Sequence, residues 1–138
     1  MSRKQQHHEA IRWLTTALED LAAAQLLKEQ QMFSHSCFLA QQAAEKAIKS
    51  VWFELDEDPW GHSIQKLILD IPSEQLRDEF NAMLDKAATL DRYYIPSRYP
   101  NGLPDLTPGT TFVLPDAELA CKSATMIIEQ ANRFIGEE

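Results

Sequence analysis

The chain has 138 residues, the usual size for one domain, and its 44% hydrophobic content is enough for a single core. Its formal net charge of −8 excludes nucleic-acid binding through a general basic surface, because that mode needs many cations facing phosphates. A local cationic site remains compatible with this charge, since two arginines in one segment would be doubled in a symmetric dimer. We expect one domain over residues 1–138 and no DNA partner.

No run reaches the roughly 18 apolar residues that span a bilayer, and no apolar stretch of the signal-peptide kind follows the charged N-terminus. We therefore expect a cytoplasmic protein without a membrane partner. Cys37 and Cys121 lie on apolar faces of predicted helices, which favours buried thiols over a disulfide or metal ligands. The four histidines lack metal-binding spacing and no glycine-rich phosphate loop occurs, so we predict no metal and no cofactor.

Hydrophobic spacing predicts two long helices in the first part of the chain, over residues 8–30 and 34–55. The second is rich in alanines, which would let a neighbouring helix approach closely. Pro59 and Gly61 then break the helical pattern.

The apolar pattern after this break predicts a short helix that opens at His62 and a fourth long helix over residues 73–91. A last helix begins at Pro115 with Asp116 as its cap and turns Phe134 inward. Strand alternation is present at most over residues 110–114. The expected fold is all-α: an up-and-down bundle of four long helices plus one short helix, with a long proline-rich loop before the last helix.

Residues 92–115 hold five of the seven prolines. Proline lacks a backbone N–H and biases its predecessor away from helix, so this segment is predicted to be a long loop. Loops of more than about 15 residues inside a compact domain are usually functional or disordered. Because disordered segments are poor in aromatic residues and this one has three tyrosines, we expect a packed surface loop that presents Arg92 and Arg98.

The residue types of this loop suit a nucleotide or an RNA phosphate. Guanidinium groups of Arg92 and Arg98 would bind phosphate oxygens, and rings such as Tyr94 and Tyr99 could stack on a base. The alternative is that Arg92 pairs with helix carboxylates and the tyrosines fix the loop to the bundle. Packing is the favoured interpretation for Tyr93 and Tyr94, whereas the two interpretations are level for Arg98.

A polar stripe formed by Gln42, Glu45, Lys46 and Lys49 is expected on one side of the second helix. From composition alone this is a solvated face, with a Glu45–Lys49 ion pair worth about 0.2 to 0.5 kcal/mol. If the stripe instead faces a partner subunit or the proline-rich loop, Glu45 becomes the natural partner of an arginine there.

His62 could act as a general acid or base near neutral pH. The sequence identifies no companion for it, so a turn or capping role is the simpler interpretation.

Four segments together resemble the HEPN (higher eukaryotes and prokaryotes nucleotide-binding) domain. They are Trp13-Leu14 through Asp20-Leu21, the run Phe38-Leu39-Ala40-Gln41-Gln42-Ala43-Ala44-Glu45-Lys46-Ala47-Ile48-Lys49, Gly61-His62-Ser63, and Arg92-Tyr93-Tyr94-Ile95-Pro96-Ser97-Arg98-Tyr99-Pro100. The resemblance implies an all-α homodimer, often encoded beside a minimal nucleotidyltransferase as a toxin–antitoxin pair. It also implies that many relatives are metal-independent ribonucleases with an Arg-x4-6-His motif.

This chain departs from that motif, because the sixth residue after Arg92 is Arg98 and no histidine follows His62. Arginine cannot carry protons near neutral pH, although it can bind phosphate. The leading interpretation is a dimeric module that binds a nucleotide or an RNA phosphate and partners a nucleotidyltransferase. The predicted ligand-binding residues are Arg92, Arg98, Tyr94, Tyr99, Glu45, Lys46 and His62.

Two alternatives remain open at this point. One is a metal-independent ribonuclease toxin with a variant active site, in which His62 or a tyrosine replaces the missing histidine. The other is a purely structural partner whose proline-rich loop contacts the nucleotidyltransferase.

Overall fold

The computed structural model describes residues 2–136, and all regular elements within that range are helical. The α-helices are α1 (Arg3–Glu29), α2 (Phe33–Glu54), α3 (Ile64–Leu69), α4 (Glu74–Phe80), α5 (Leu84–Asp91), α6 (Pro108–Thr111) and α7 (Leu114–Ile135), and 3₁₀ turns lie at Asn81–Met83 and Pro100–Gly102. The all-α prediction is confirmed. Helices α1, α2 and α7 are long and pack together, with the shorter helices against them.

Helix α1 begins at an earlier residue than the apolar pattern predicts. Ser2 Oγ accepts the Gln5 backbone N–H at 3.1 Å, and Gln5 Oε1 accepts the Ser2 backbone N–H at 2.8 Å. This reciprocal capping box starts the helix at Arg3 rather than at residue 8, because it depends on two polar side chains and not on hydrophobic spacing.

Three residues join α1 to α2. Gln31 has a left-handed backbone with φ of 62°, and its N–H donates to Lys28 O at 3.1 Å. The Met32 N–H donates to Leu27 O at 2.8 Å. These two bonds form a Schellman motif, which reverses the chain and sets α2 beside α1.

Alanines line the packed faces of α1 and α2, as the sequence predicted. A side chain of one methyl group lets two helix backbones approach closely. The fully buried alanines of these two helices are Ala10, Ala17, Ala24, Ala40, Ala43, Ala44 and Ala47.

The predicted fourth long helix is divided in the structure. A 3₁₀ turn at Asn81–Met83 separates α4 from α5. The tighter winding of a 3₁₀ turn rotates the apolar face, so Phe80 and Leu90 both reach the core while Met83 is only half-buried.

The alternation over residues 110–114 does not form a strand, and part of the proline-rich loop, predicted to be non-helical, is helical. The short helix α6 starts at Pro108, and Thr107 N donates to Thr110 Oγ1 at 3.2 Å at its first turn. Proline is tolerated in the first turn of a helix, where its missing N–H would have no intrahelical partner. Several of these prolines therefore begin helical turns instead of preventing them.

Helix α7 has the predicted position but differs at both ends. Asp116 is not the cap: it is the third helical residue, and its carboxylate accepts the Val113 N–H at 2.9 Å. Phe134 was expected inside the core but is 37% exposed, and Ile135 is buried in its place.

The two cysteines are free and buried, as predicted. Burial, with smaller contributions from Asp116 and Cys121, raises the pKa of the Cys37 thiol to about 12. Cys37 is therefore a protonated core residue near neutral pH.

No helix within residues 2–136 has the length and apolar character needed to cross a membrane.

Asp91, the last residue of α5, holds the start of α3. Its carboxylate accepts the Ser63 hydroxyl at 2.8 Å and the backbone N–H groups of Ile64 at 2.7 Å and Gln65 at 3.1 Å. These N–H groups have no partner within their own helix, so Asp91 satisfies donors that a helix start leaves open. The contact also places His62, one residue before Ser63, beside the start of the proline-rich segment.

Replacing Asp91 by alanine is expected to lower the free energy of unfolding by about 2 kcal/mol, because two backbone donors and one hydroxyl lose a charged acceptor. Urea denaturation measures this change. Asp78→Ala, at an exposed carboxylate of α4, is the control and is expected to change stability by less than about 0.5 kcal/mol. Equal stability of the two variants would show that the Asp91 contact does not stabilise the fold.

Candidate functional site

The guanidinium group of Arg98 lies among aromatic rings. Its central carbon is 4.6 Å from the centroid of Phe38, 4.6 Å from that of Tyr94 and 5.0 Å from that of Tyr99. The Arg98 Nε donates to Tyr94 O at 2.9 Å, which fixes the side chain against its own turn of backbone. Cation–π attraction at these distances holds the charge in place while the terminal nitrogens keep their capacity to donate to a ligand.

His62 lies on the same tyrosine. The His62 and Tyr94 rings are stacked, with centroids 5.0 Å apart and an interplanar angle of 18°. His62 Nδ1 is 3.3 Å from Glu45 Oε2, and the His62 side chain is 61% exposed. This geometry turns one ring nitrogen toward a buried carboxylate and leaves the outer part of the ring accessible.

Glu45 is the centre of a buried polar network, and the prediction of a solvated face is wrong for it. Its side chain is 5% exposed, and that of Lys49 is 13% exposed. Lys49 Nζ lies 3.1 Å from Glu45 Oε2, and Gln41 Nε2 donates to Glu45 Oε1 at 3.1 Å. The predicted Glu45–Lys49 pair is present, but the partners of the carboxylate are lysine, glutamine and histidine and not an arginine.

Two predicted site residues lie apart from this group. Lys46 Nζ contacts Asp20 Oδ2 on α1 at 2.5 Å, because successive residues of a helix point about 100° apart and Glu45 faces α3 instead. Arg92 is exposed and donates from Nη2 to Thr89 Oγ1 at 3.4 Å, rather than to a carboxylate. The structure thus brings together Arg98, Tyr94, Tyr99, Glu45 and His62.

Tyr93 packs into the bundle, in agreement with its favoured interpretation. Its ring meets that of Phe112 edge-on, with centroids 5.6 Å apart, and burial raises the pKa of its hydroxyl. Phe38, by contrast, belongs to the site although residue type gave no reason to select it. Two features of the sequence pointed to it: it opens the run that resembles the HEPN domain, and it stands four residues before Gln42 of the polar stripe.

A pocket of about 540 Å³ opens beside the aromatic cluster, between the α1–α2 turn, the start of α2 and α6. Phe38 and Arg98 belong to both the cluster and the pocket wall. His35, Met32 and Gly109 line other parts of the pocket.

Together these groups can bind an anion and transfer a proton. Arg98 supplies a fixed positive charge, the rings offer stacking surfaces, and His62 is an imidazole oriented by a carboxylate. Within residues 2–136 no cluster of three or more histidine, cysteine, aspartate or glutamate side chains could hold a metal ion.

The fold and the geometry define a class of protein. It is an all-helical bundle that carries a cationic and aromatic site on its proline-rich segment. The sequence matches the HEPN domain family over residues 10–136, and the chain therefore belongs to that family. A comparison with curated proteins found no match.

Three solved structures share the fold over nearly all of both chains. The protein TT1696 from Thermus thermophilus is 34% identical, with a TM-score of 0.85 over 90% of this chain and 96% of that one. ST0689, an archaeal HEPN homologue, is 30% identical, with a TM-score of 0.76 over 92% and 98%. The HEPN domain protein TM0613 from Thermotoga maritima is 26% identical, with a TM-score of 0.67 over 89% and 96%.

Glu45→Ala is expected to destabilise the protein by about 3 kcal/mol, because it leaves the largely buried Lys49 charge without its carboxylate. The matched control is Asp70→Ala, which removes the other i, i+4 lysine pair, Lys66–Asp70. That pair is shorter at 2.6 Å, but it is exposed, so its loss is expected to cost less than about 1 kcal/mol. Denaturant titration of both variants compares the two effects, and an equal loss would contradict the structural role of the buried network.

Proposed function

We propose that this HEPN protein binds a nucleotide or an RNA phosphate at Arg98. The observation that supports the proposal is the guanidinium group held over Phe38, Tyr94 and Tyr99, beside the exposed ring of His62. An arginine fixed before the ligand arrives loses less conformational freedom on binding, and its planar fork matches phosphate oxygens.

The negative charge of the nearby Glu45 carboxylate does not cancel the positive charge of Arg98. Glu45 carries a negative charge, but Lys49 lies 3.1 Å from it and offsets that charge within the protein. The charge that faces outward is therefore that of Arg98, with the His62 ring beside it. A local positive site can form in this way on a chain whose net charge is −8.

The proposal includes a homodimer and a nucleotidyltransferase partner in a toxin–antitoxin-type pair. A symmetric dimer would present two copies of Arg98 and of the exposed Arg92, and each additional cation strengthens binding of a phosphate chain. Lys46, which faces α1, contributes at most through its long-range charge. Sedimentation of the pure protein tests the dimer, and co-purification with the product of an adjacent gene tests the partner.

Arg98→Ala is expected to weaken binding of a nucleoside monophosphate or a short RNA about tenfold or more, because a charge-assisted hydrogen bond is worth about 1.5 to 3 kcal/mol. Titration calorimetry measures the affinity. Arg133→Ala removes an exposed arginine of α7 and is the matched control, with affinity expected to stay at the wild-type value. Affinity that falls equally in both variants would mean that only net charge matters and that Arg98 forms no site.

A second candidate function is favoured by one contact, the 3.3 Å approach of His62 Nδ1 to Glu45 Oε2. A carboxylate in this position orients an imidazole by holding one of its ring nitrogens. In metal-independent RNA cleavage, His62 Nε2 would take the proton of a ribose 2′-OH as its oxygen attacks the adjacent phosphorus. The bond between phosphorus and the 5′-oxygen breaks and leaves a 2′,3′-cyclic phosphate. The 5′-oxygen takes a proton from water, the proton taken up by His62 returns to the solvent, and Arg98 stabilises the charge on the phosphoryl oxygens.

If this second function holds, wild-type protein cleaves RNA in the presence of EDTA, and His62→Gln lowers the rate by about 10² to 10⁴ because a positioned acid/base is lost. The readout is cleavage of a labelled RNA by identically prepared proteins, with His8→Gln as the control. Retained RNA binding with no cleavage by the wild type would reject the ribonuclease and leave the binding module. Absence of both RNA binding and nucleotide binding would instead favour a structural partner that acts through its proline-rich segment.

A further inference from the structure

We propose that the pocket between the α1–α2 turn and α6 is a base-binding subsite, which takes the base of one nucleotide unit while Arg98 holds its phosphate. The inference rests on the proposed function and adds the part of the ligand that the phosphate site leaves undefined. The nucleotide unit could be a free mononucleotide or one residue of a single-stranded RNA, since both present the same chemistry.

The pocket adjoins the phosphate site directly. Phe38 and Arg98 line its wall, and the same two side chains make the cation–π contact of 4.6 Å. A ligand that reaches the Arg98 guanidinium from outside therefore has this pocket beside it. The volume of about 540 Å³ falls within the range of about 300 to 1,000 Å³ that is usual for small-molecule sites.

The lining suits a flat ring with polar edges. Phe38, Phe33 and Met32 supply apolar and polarisable surface for the two faces of a base. The exposed His35, which no other part of the site uses, lies on the pocket wall and can accept from or donate to the edge of a base. Ser97 also lines the pocket, but its hydroxyl donates to Tyr93 O.

The pocket walls are held by the backbone. The Schellman bonds of the α1–α2 turn fix Gln31 and Met32 on one side. On the other side, Pro108 O accepts the Phe112 N–H at 3.0 Å, which fixes α6. Both walls are thus formed in the free protein. A preformed pocket loses less conformational entropy when a ligand binds.

Gly109 permits a specific block of the pocket. A Cβ placed there meets only Thr107 Oγ1, at 3.8 Å, which is an ordinary contact, so a side chain can be added without backbone strain. Gly109→Leu would extend into the space proposed for the base and leave Arg98 unchanged. Thr111→Leu, at an exposed position of the same short helix outside the pocket lining, is the matched control.

The experiment compares AMP with ribose 5-phosphate, which carries the same phosphate and no base. The wild type and Thr111→Leu are expected to bind AMP about tenfold more tightly than ribose 5-phosphate, because only AMP has a base that can stack in the pocket. In Gly109→Leu that preference is expected to disappear while ribose 5-phosphate affinity is unchanged. His35→Ala, which adds no bulk, is expected to reduce the preference by a few-fold.

The outcomes separate this inference from the proposed function. Equal wild-type affinity for the two ligands, or an AMP preference that survives in Gly109→Leu, would overturn the base subsite and leave phosphate binding at Arg98 intact. Binding of neither ligand, nor of a short single-stranded RNA, would overturn the proposed function itself. A preference for AMP over ribose 5-phosphate, together with a larger preference for a short single-stranded RNA over the same RNA with an abasic residue, would support the subsite and identify RNA as the source of the nucleotide.

Discussion

The packing of α2 is the constraint on which the rest of the structure depends. This helix contacts both α1 and α7, and close approach on two sides requires small side chains such as Ala40, Ala44 and Ala47. The same helix carries the site residues of its remaining face at helical spacing, namely Phe38, Gln41, Glu45 and Lys49. Their positions follow from core packing, so this part of the site is built on a helix that is packed on two sides.

The three long helices could be predicted because their apolar residues recur at the helical period. The division between α4 and α5 could not be predicted. The order of polar and apolar residues across the 3₁₀ turn is also compatible with one continuous helix. The helical turns of the proline-rich segment were not predicted for a different reason. Proline is disfavoured in helix interiors but is tolerated at helix starts, as at Pro108. Local signals therefore described helix faces better than helix ends.

Local sequence signals also did not predict which residues from distant parts of the chain meet in the candidate site. Residue chemistry selected Arg98 and Tyr94, which are close in sequence, but gave His62 no companion. The structure supplies Glu45 from 17 residues earlier and Tyr94 from a segment beyond α5, and it does so through the Asp91 contact that fixes the start of α3. Such a juxtaposition depends on tertiary packing, so it cannot be predicted from the spacing of residues along the chain.

The position of Arg98 within an acidic chain also governs how a polyanion would approach it. At low ionic strength, where charges act over about 30 Å, an incoming RNA is repelled by the net charge of −8 before it meets the guanidinium group. Added salt shortens that range to about 10 Å at 0.1 M, which would remove the long-range repulsion but would weaken a direct phosphate contact at Arg98 much less. Association would then accelerate with moderate salt, the opposite of the behaviour of a basic nucleic-acid-binding surface.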